Sequence, residues 1–234
     1  MIDIRIADLN IRLHNRYGYT EELCREYVTD AKEIDFEVRA TEEDIAKEIK
    51  DSDIPVDEAY AESVCLHREI ADRLWKYDAF LLHAALIECD GRGYAFAARS
   101  GVGKSTHITL WRKNFGRRVR AINGDKPIIR MTEQGPVAYG TPWNGKERLG
   151  ENRSCVLHAL CFLERGEKNE IQSISMTDGV LRMFNQLYFP RSEESITRTM
   201  DLVDSFAQRM PFFRLFCNME DDAAIVAHEA MSNC

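Results

Sequence analysis

The chain contains no run of about 18 consecutive apolar residues, which excludes a helix spanning a bilayer. Its first residues, Met1-Ile2-Asp3-Ile4-Arg5, lack the apolar core of a secretory leader, and a cytoplasmic location is expected. An excess of positive charge is missing too. Lys and Arg number 31 against 39 Asp and Glu, a formal net charge of −8. Neither nucleic acid nor an anionic membrane is an expected partner. Cysteines are present but unpaired in spacing. The count of seven is odd, so they read as reduced thiols and not as a disulfide framework. Cys155, His158 and Cys161 have metal-like offsets, yet Val156 to Leu163 reads as a strand. Offsets of three on a strand fall on opposite faces, so no metal site is expected there. Repeats and low-complexity linkers are absent. Pro55 is the one break in the first third, dividing an accessory segment, 1–56, from a main domain, 57–234.

What is present is a chain long enough to bury a sizeable core. Ile2, Ile4 and Ile6 alternate, then Leu9, Ile11 and Leu13 do so one step out of phase. This pattern predicts two short strands or one bulged strand. Thr20 is expected to cap a short helix to Tyr27, and Thr41 a second one. A longer helix is expected over Asp57 to Tyr77. Phe80 to Glu88 is apolar on both faces, as in a central strand. Asp90-Gly91-Arg92-Gly93 then predicts a hairpin turn. Further strands are expected at Arg118–Asn123, Ile128–Met131, Val137–Tyr139, Val156–Leu163, Glu170–Ser175 and Pro211–Cys217. Helices are expected after Lys104, Thr177, Ser192 and Asp221. The expected class is α/β with a mixed sheet and an N-terminal α+β accessory segment.

The chemistry concentrates at Ser100-Gly101-Val102-Gly103-Lys104-Ser105-Thr106, between an apolar strand and a helix. Glycines at 101 and 103 let a backbone approach an anion, and a helix N-terminus points free N–H groups at phosphate oxygens. Lys104 is placed to reach the β and γ phosphates, and the Ser105 hydroxyl to ligate Mg²⁺. The pattern's first glycine is replaced by Ala98. Asp125 lies 21 residues beyond Lys104 at a strand end, where a phosphate-loop enzyme keeps a carboxylate for Mg²⁺. His83 lies 21 residues before Lys104, on the strand expected to pair with the one feeding the loop. On its own a histidine there reads as a core residue. The polar loop Gly140 to Ser154 is long for a compact domain. Its Lys146 and Arg148 are either solvated or supply positive charge to a phosphoryl group. The segment Thr141 to Asn152 is expected to be a mobile lid.

Leu82-His83, a hairpin, the Ser100–Ser105 loop and Asn123-Gly124-Asp125 together resemble the kinase domain of HPr kinase/phosphorylase, over roughly residues 79–165. The resemblance implies the P-loop fold of the phosphoenolpyruvate-carboxykinase type and a single ATP site. It implies His83, Lys104 and Asp125 as catalytic residues, Ser105 and Asp125 as Mg²⁺ ligands, and Ser100 to Thr106 as nucleotide-binding residues. The family often has Asp-Asp where this chain has Gly124-Asp125, and His-Gly where it has His83-Ala84. Two readings follow. One is an ATP- or GTP-dependent phosphotransferase acting on a hydroxyl of a peptide, protein or small molecule, with a homo-oligomer left open. The other is a nucleotide-binding regulatory protein without efficient transfer. If the family geometry is kept, Gly124→Asp is expected to raise turnover.

Overall fold

The computed structural model describes residues 1–234. Strands β1 (Ile2–Ile6) and β2 (Leu9–His14) form an antiparallel hairpin. Its two-residue turn, Ala7-Asp8, has φ of 52° and 59° at both positions. A two-residue turn of this hand matches strand twist, and it accounts for the slipped alternation. Strand β3 (Phe36–Arg39) joins β2 in parallel. Helices α1 (Gly18–Leu23), α2 (Glu42–Asp51) and α3 (Glu58–Ala71) complete this layer.

Thr41 caps α2 through a reciprocal box with Asp44, as expected. Thr20 does not cap α1. It is buried inside that helix, whose N-cap, Tyr17, has no capping side chain. The chain entering α1 is held from outside: the buried Glu62 carboxylate of α3 accepts the Arg16 and Tyr17 N–H groups at 2.7 and 3.2 Å. The long helix stops at Ala71, and a single 3-10 turn, Leu74–Tyr77, ends on Asp78 in the left-handed region. Ile4, Leu13, Leu66, Leu81 and Ile128 share one hydrophobic cluster. Packing therefore continues across Pro55 without a seam.

The main sheet has nine strands. They are β4 (Ala79–Leu81), β5 (Ala84–Cys89), β6 (Arg92–Ala97), β7 (Val119–Asn123), β8 (Ile128–Thr132), β9 (Gly135–Tyr139), β10 (Ser154–Arg165), β11 (Glu170–Ile174) and β12 (Phe212–Cys217). The path runs β4-β8-β9-β10-β6-β5-β7, with β12 and β11 branching from β10. Strand β10 lies parallel to β6 and β12 but antiparallel to β9, so the sheet is mixed. Helices α4 (Lys104–Phe115), α5 (Met176–Met183), α6 (Glu193–Ala207) and α7 (Asp222–Met231) cover it.

Strict alternation sorts the two faces. Ala84, Leu86 and Ala95 pack with Met183 and Phe206 on one side. Ala85, Ile87 and Phe96 pack with Trp111 and Ala224 on the other. The continuous strand expected from Phe80 to Glu88 is broken at Leu82-His83. His83 thus sits in a gap between strands and not on one. No helix is long and apolar enough to cross a membrane.

Candidate functional site

Strand β6 leaves the sheet at Ala97, turns through residues 99–103 and enters α4 at Lys104. The Val102 N–H donates to the Arg99 carbonyl at 3.2 Å. Gly101 and Gly103 take φ of 77° and 121°, conformations that a side chain would strain. Ala98 is buried and has no positive φ, so the loop's missing first glycine leaves no strain behind. Ser100, Gly101 and Thr106 are exposed, while Val102, Gly103 and Ser105 are half-buried. Helix α4 has no capping side chain, which leaves its first N–H groups free for an anion. Arg165, at the end of β10, donates to the Gly101 carbonyl at 2.8 Å and props the loop.

The side chains of His83, Lys104 and Asp125 meet beside this loop. His83 Nε2 lies 2.9 Å from Asp125 Oδ1 and 2.8 Å from Lys104 Nζ. Lys104 Nζ is 3.6 Å from Asp125 and donates to the Ala98 carbonyl at 3.4 Å. Three elements bring them together: the break between β4 and β5, the first turn of α4, and the turn after β7. Lys126 adds a second ammonium, 2.6 Å from the other Asp125 oxygen. Burial would push Asp125 up, but the His83 hydrogen bond and the Lys126 ammonium outweigh it. The carboxyl is held well below the ordinary carboxylate range. Burial also lowers the Lys104 ammonium from its ordinary value, against the opposing pull of Asp125.

The sequence reading gave no role to Lys126, Arg165 or Glu147, and quoted Asn123 without one. The buried Asn123 accepts the Asp125 and Lys126 N–H groups at 2.8 and 2.6 Å, an Asx turn that aims Asp125 at the loop. An Asn at a strand end before Gly-Asp-Lys-Pro was the signal for it. Glu147 reaches the site from the polar loop, where Ser105 Oγ donates to its carboxylate at 3.3 Å. Its neighbours do not follow. Lys146 is exposed and has no hydrogen bond to the phosphate loop, and Arg148 sits beside Tyr19 of α1.

Nor is the whole segment Thr141 to Asn152 a free lid. Asn123 donates to Thr141 Oγ1 at 3.0 Å, the Glu151 N–H donates to the Ile122 carbonyl at 3.1 Å, and the Asn152 amide donates to the Glu26 carbonyl at 2.8 Å. The exposed tip is residues 145–148. Gly124 is where this loop comes closest: a Cβ there would lie 2.5 Å from the Asn144 carbonyl oxygen.

The cysteine clusters carry no such site. Cys155 and Cys161 are buried while His158 is half-exposed beside Arg92, as the strand reading expects. Cys89, Asp90 and His228 bring ligand-type atoms within 4.8 Å of one another. Both Asp90 oxygens are taken, however, by Arg118 Nε at 2.9 and 3.1 Å.

The charge cluster predicts an acid-side stability slope. A carboxyl depressed on folding adds stability above its unfolded value, 3.8, and loses it as pH falls toward the folded one. The wild type should therefore lose on the order of 2 kcal/mol more than Asp125→Asn between neutral pH and about pH 2. Urea unfolding of both proteins across that range measures it. Parallel profiles would mean that Asp125 gains nothing from its neighbours.

No family model and no curated protein matches the chain. Among solved structures it is similar to the HPr(Ser) kinase/phosphatase from Coxiella burnetii, with a TM-score of 0.38 and 8% identity, over 66% of this chain and 99% of that one. The resemblance is distant and one of broad architecture.

Proposed function

We propose that the chain is a nucleotide-dependent phosphotransferase with the P-loop fold of the HPr kinase type, using ATP or GTP with Mg²⁺. The acceptor is a hydroxyl of a peptide, protein or small molecule. The observation that carries this reading is the meeting of Lys104, His83 and Asp125 beside a glycine loop at the free N-terminus of α4. In this reading the loop N–H groups and Lys104 hold the phosphates, and the acidic Asp125 takes the proton of the acceptor hydroxyl. His83 fixes the carboxylate's orientation and Lys126 keeps it ionised.

The donor set suits Mg²⁺, a hard cation that takes oxygen ligands. Ser105 offers a hydroxyl hydrogen-bonded to Glu147, and Asp125 offers a carboxylate 3.6 Å from the ammonium of the adjacent residue, Lys104. When bound, the ion would supply neutralisation of phosphate charge. Glu147 also answers the missing acid at position 124, because a second carboxylate reaches the loop from another segment. This favours transfer over purely regulatory binding.

The test is transfer of labelled γ-phosphate from Mg-ATP or Mg-GTP to hydroxyl-bearing peptides and small molecules. Asp125→Asn should lower the rate by about 10²–10⁴-fold, the usual worth of a general base. Nucleotide binding without transfer to any acceptor would favour the regulatory reading, and no nucleotide binding would end both. Glu147→Gln should raise the Mg²⁺ concentration required at least as much as loss of an outer-shell partner does, about 10–100-fold. An unchanged Mg²⁺ requirement would remove Glu147 from the site.

A further inference from the structure

Trp143 is the most unusual residue of the polar loop. Its indole N–H donates to the Ser63 carbonyl of α3 at 3.1 Å. Its ring stacks on His67 of the same helix, with centroids 4.5 Å apart and planes at 24°. His67 is itself buried, and its Nε2 has no hydrogen-bond partner. Burial, with the nearby Lys126 ammonium, pushes His67 down to about 3, so a neutral, flat ring faces the indole. An aromatic anchor on the N-terminal layer is therefore set into a loop that belongs to the main sheet.

The consequence lies at the residues that follow. Asn144 packs over Gly124. Gly145, at φ 88°, brings its backbone against the Asp125 Cβ, where a Cβ of its own would be 3.2 Å away. Glu147 comes next and meets Ser105. Arg148 then takes φ 48°, a left-handed conformation that costs a non-glycine residue roughly 1 kcal/mol or more. Gly150 closes the loop on Asn144, where any Cβ would lie 2.7 Å from the Asn144 amide nitrogen. A tip with two left-handed residues holds one shape only when its ends are fixed. Before Glu147 the loop packs through Asn144 and Gly145 on Gly124 and Asp125, and the Trp143 indole, four residues away, is the side chain that ties it to α3.

We propose that Trp143 is a positioning residue. Clamped on Ser63 and His67 of α3, it holds the loop so that the Glu147 carboxylate stays at Ser105, and the N-terminal layer thereby sets the Mg²⁺ dependence of nucleotide binding. This rests on the phosphotransferase reading for Glu147's role, and it assigns the N-terminal layer a task at the site it does not itself contain. The hydrogen bond and the stacking of the Trp143 indole both fall on α3, so its effect on Ser105 passes through Glu147.

The test measures the affinity of a nonhydrolysable ATP analogue with Mg²⁺ and with EDTA, in wild type, Trp143→Ala, Trp143→Phe and Glu147→Gln. Trp143→Ala should weaken the Mg²⁺-loaded affinity by about 10-fold, as loss of an outer-shell partner does, and leave the EDTA affinity unchanged. Trp143→Phe keeps the stacking, loses the bond to Ser63 and should fall between. Trypsin should also cut after Lys146 and Arg148 faster in Trp143→Ala. A variant that only loosened the fold would lower both affinities together, and that result would overturn the proposal. If Trp143→Ala does not fold, the Phe variant decides: Mg²⁺ enhancement and trypsin cutting both equal to wild type would refute the clamp. Enhancement lost in Glu147→Gln but kept in both Trp143 variants would also refute it while sparing the nucleotide site. No binding of the analogue by wild type would fault the phosphotransferase reading itself, and with it this proposal.

Discussion

Mg-ATP or Mg-GTP at a hundredfold excess over its Kd is expected to raise the melting temperature by about 5–10 °C, and Lys104→Ala to abolish the rise. Ligand binding to the folded state alone at that excess is worth about 2.7 kcal/mol. In a domain of this size each kcal/mol moves Tm by roughly 2–4 °C. The loss in the variant should be near complete because Lys104 is the cation at the loop's own helix. Its ammonium is nearly buried, with a side chain 10% exposed, and lies 3.6 Å from Asp125. Without bound phosphate that charge pair offsets the desolvation of both groups, so the variant's unliganded Tm should move much less than its response to nucleotide. Removing the ammonium leaves phosphate facing the Asp125 carboxylate with less to neutralise it. Differential scanning fluorimetry with a nucleotide panel checks this, and a rise of equal size in Lys104→Ala would end the assignment of the phosphate loop.

The elements with strong local signals were legible in the residues. The Asp90-Gly91 turn, the Thr41 cap and the helix start at Ser192 are each dictated within a few positions. The strand break at His83 was not, because Leu81, Leu82 and Ala84 are all buried and hydrophobic pattern alone cannot see a change of pairing partner. The α1 cap failed for a similar reason. Thr20 is a good capping residue, but the chain enters α1 at Tyr17, held by Glu62, and the threonine is drawn inside with its hydroxyl turned to that carboxylate, 42 positions away.

At the candidate site, the meeting of Lys104 and Asp125 beside the glycine loop was legible in the motif spacing. Glu147 could not, since a carboxylate in a polar loop has no local signature and its role depends on where the loop is pinned. Lys146 and Arg148 were singled out for their charge, yet charge says nothing of direction, and Arg148 turns toward Tyr19.

Gly124→Asp is expected to impair the site, the reverse of what the family's Asp-Asp pattern implies. A Cβ at 124 would lie 2.5 Å from the Asn144 carbonyl oxygen, 3.2 Å from the Leu149 carbonyl oxygen and 3.4 Å from the Leu149 Cβ. Two of those three are backbone atoms, which cannot swing aside as a flexible side chain would. The loop must lift, and such overpacking costs about 1–3 kcal/mol even for alanine. Aspartate adds a negative charge facing two carbonyl oxygens and next to Asp125. The same lift withdraws Glu147 from Ser105, so a carboxylate gained at 124 would be offset by one lost at 147. Gly124→Ala separates the effects, because it has the steric clash without the charge. Both variants should show faster trypsin cutting at the loop tip and a weaker Mg²⁺ enhancement of nucleotide affinity, with Gly124→Asp the worse. A Gly124→Asp protein with a protected tip and faster transfer than wild type would show that the loop yields easily and that position 124 is a vacant catalytic seat. The backbone contacts at Asn144 and Leu149 argue that the seat is filled, and that glycine at 124 is what lets the loop deliver its own acid.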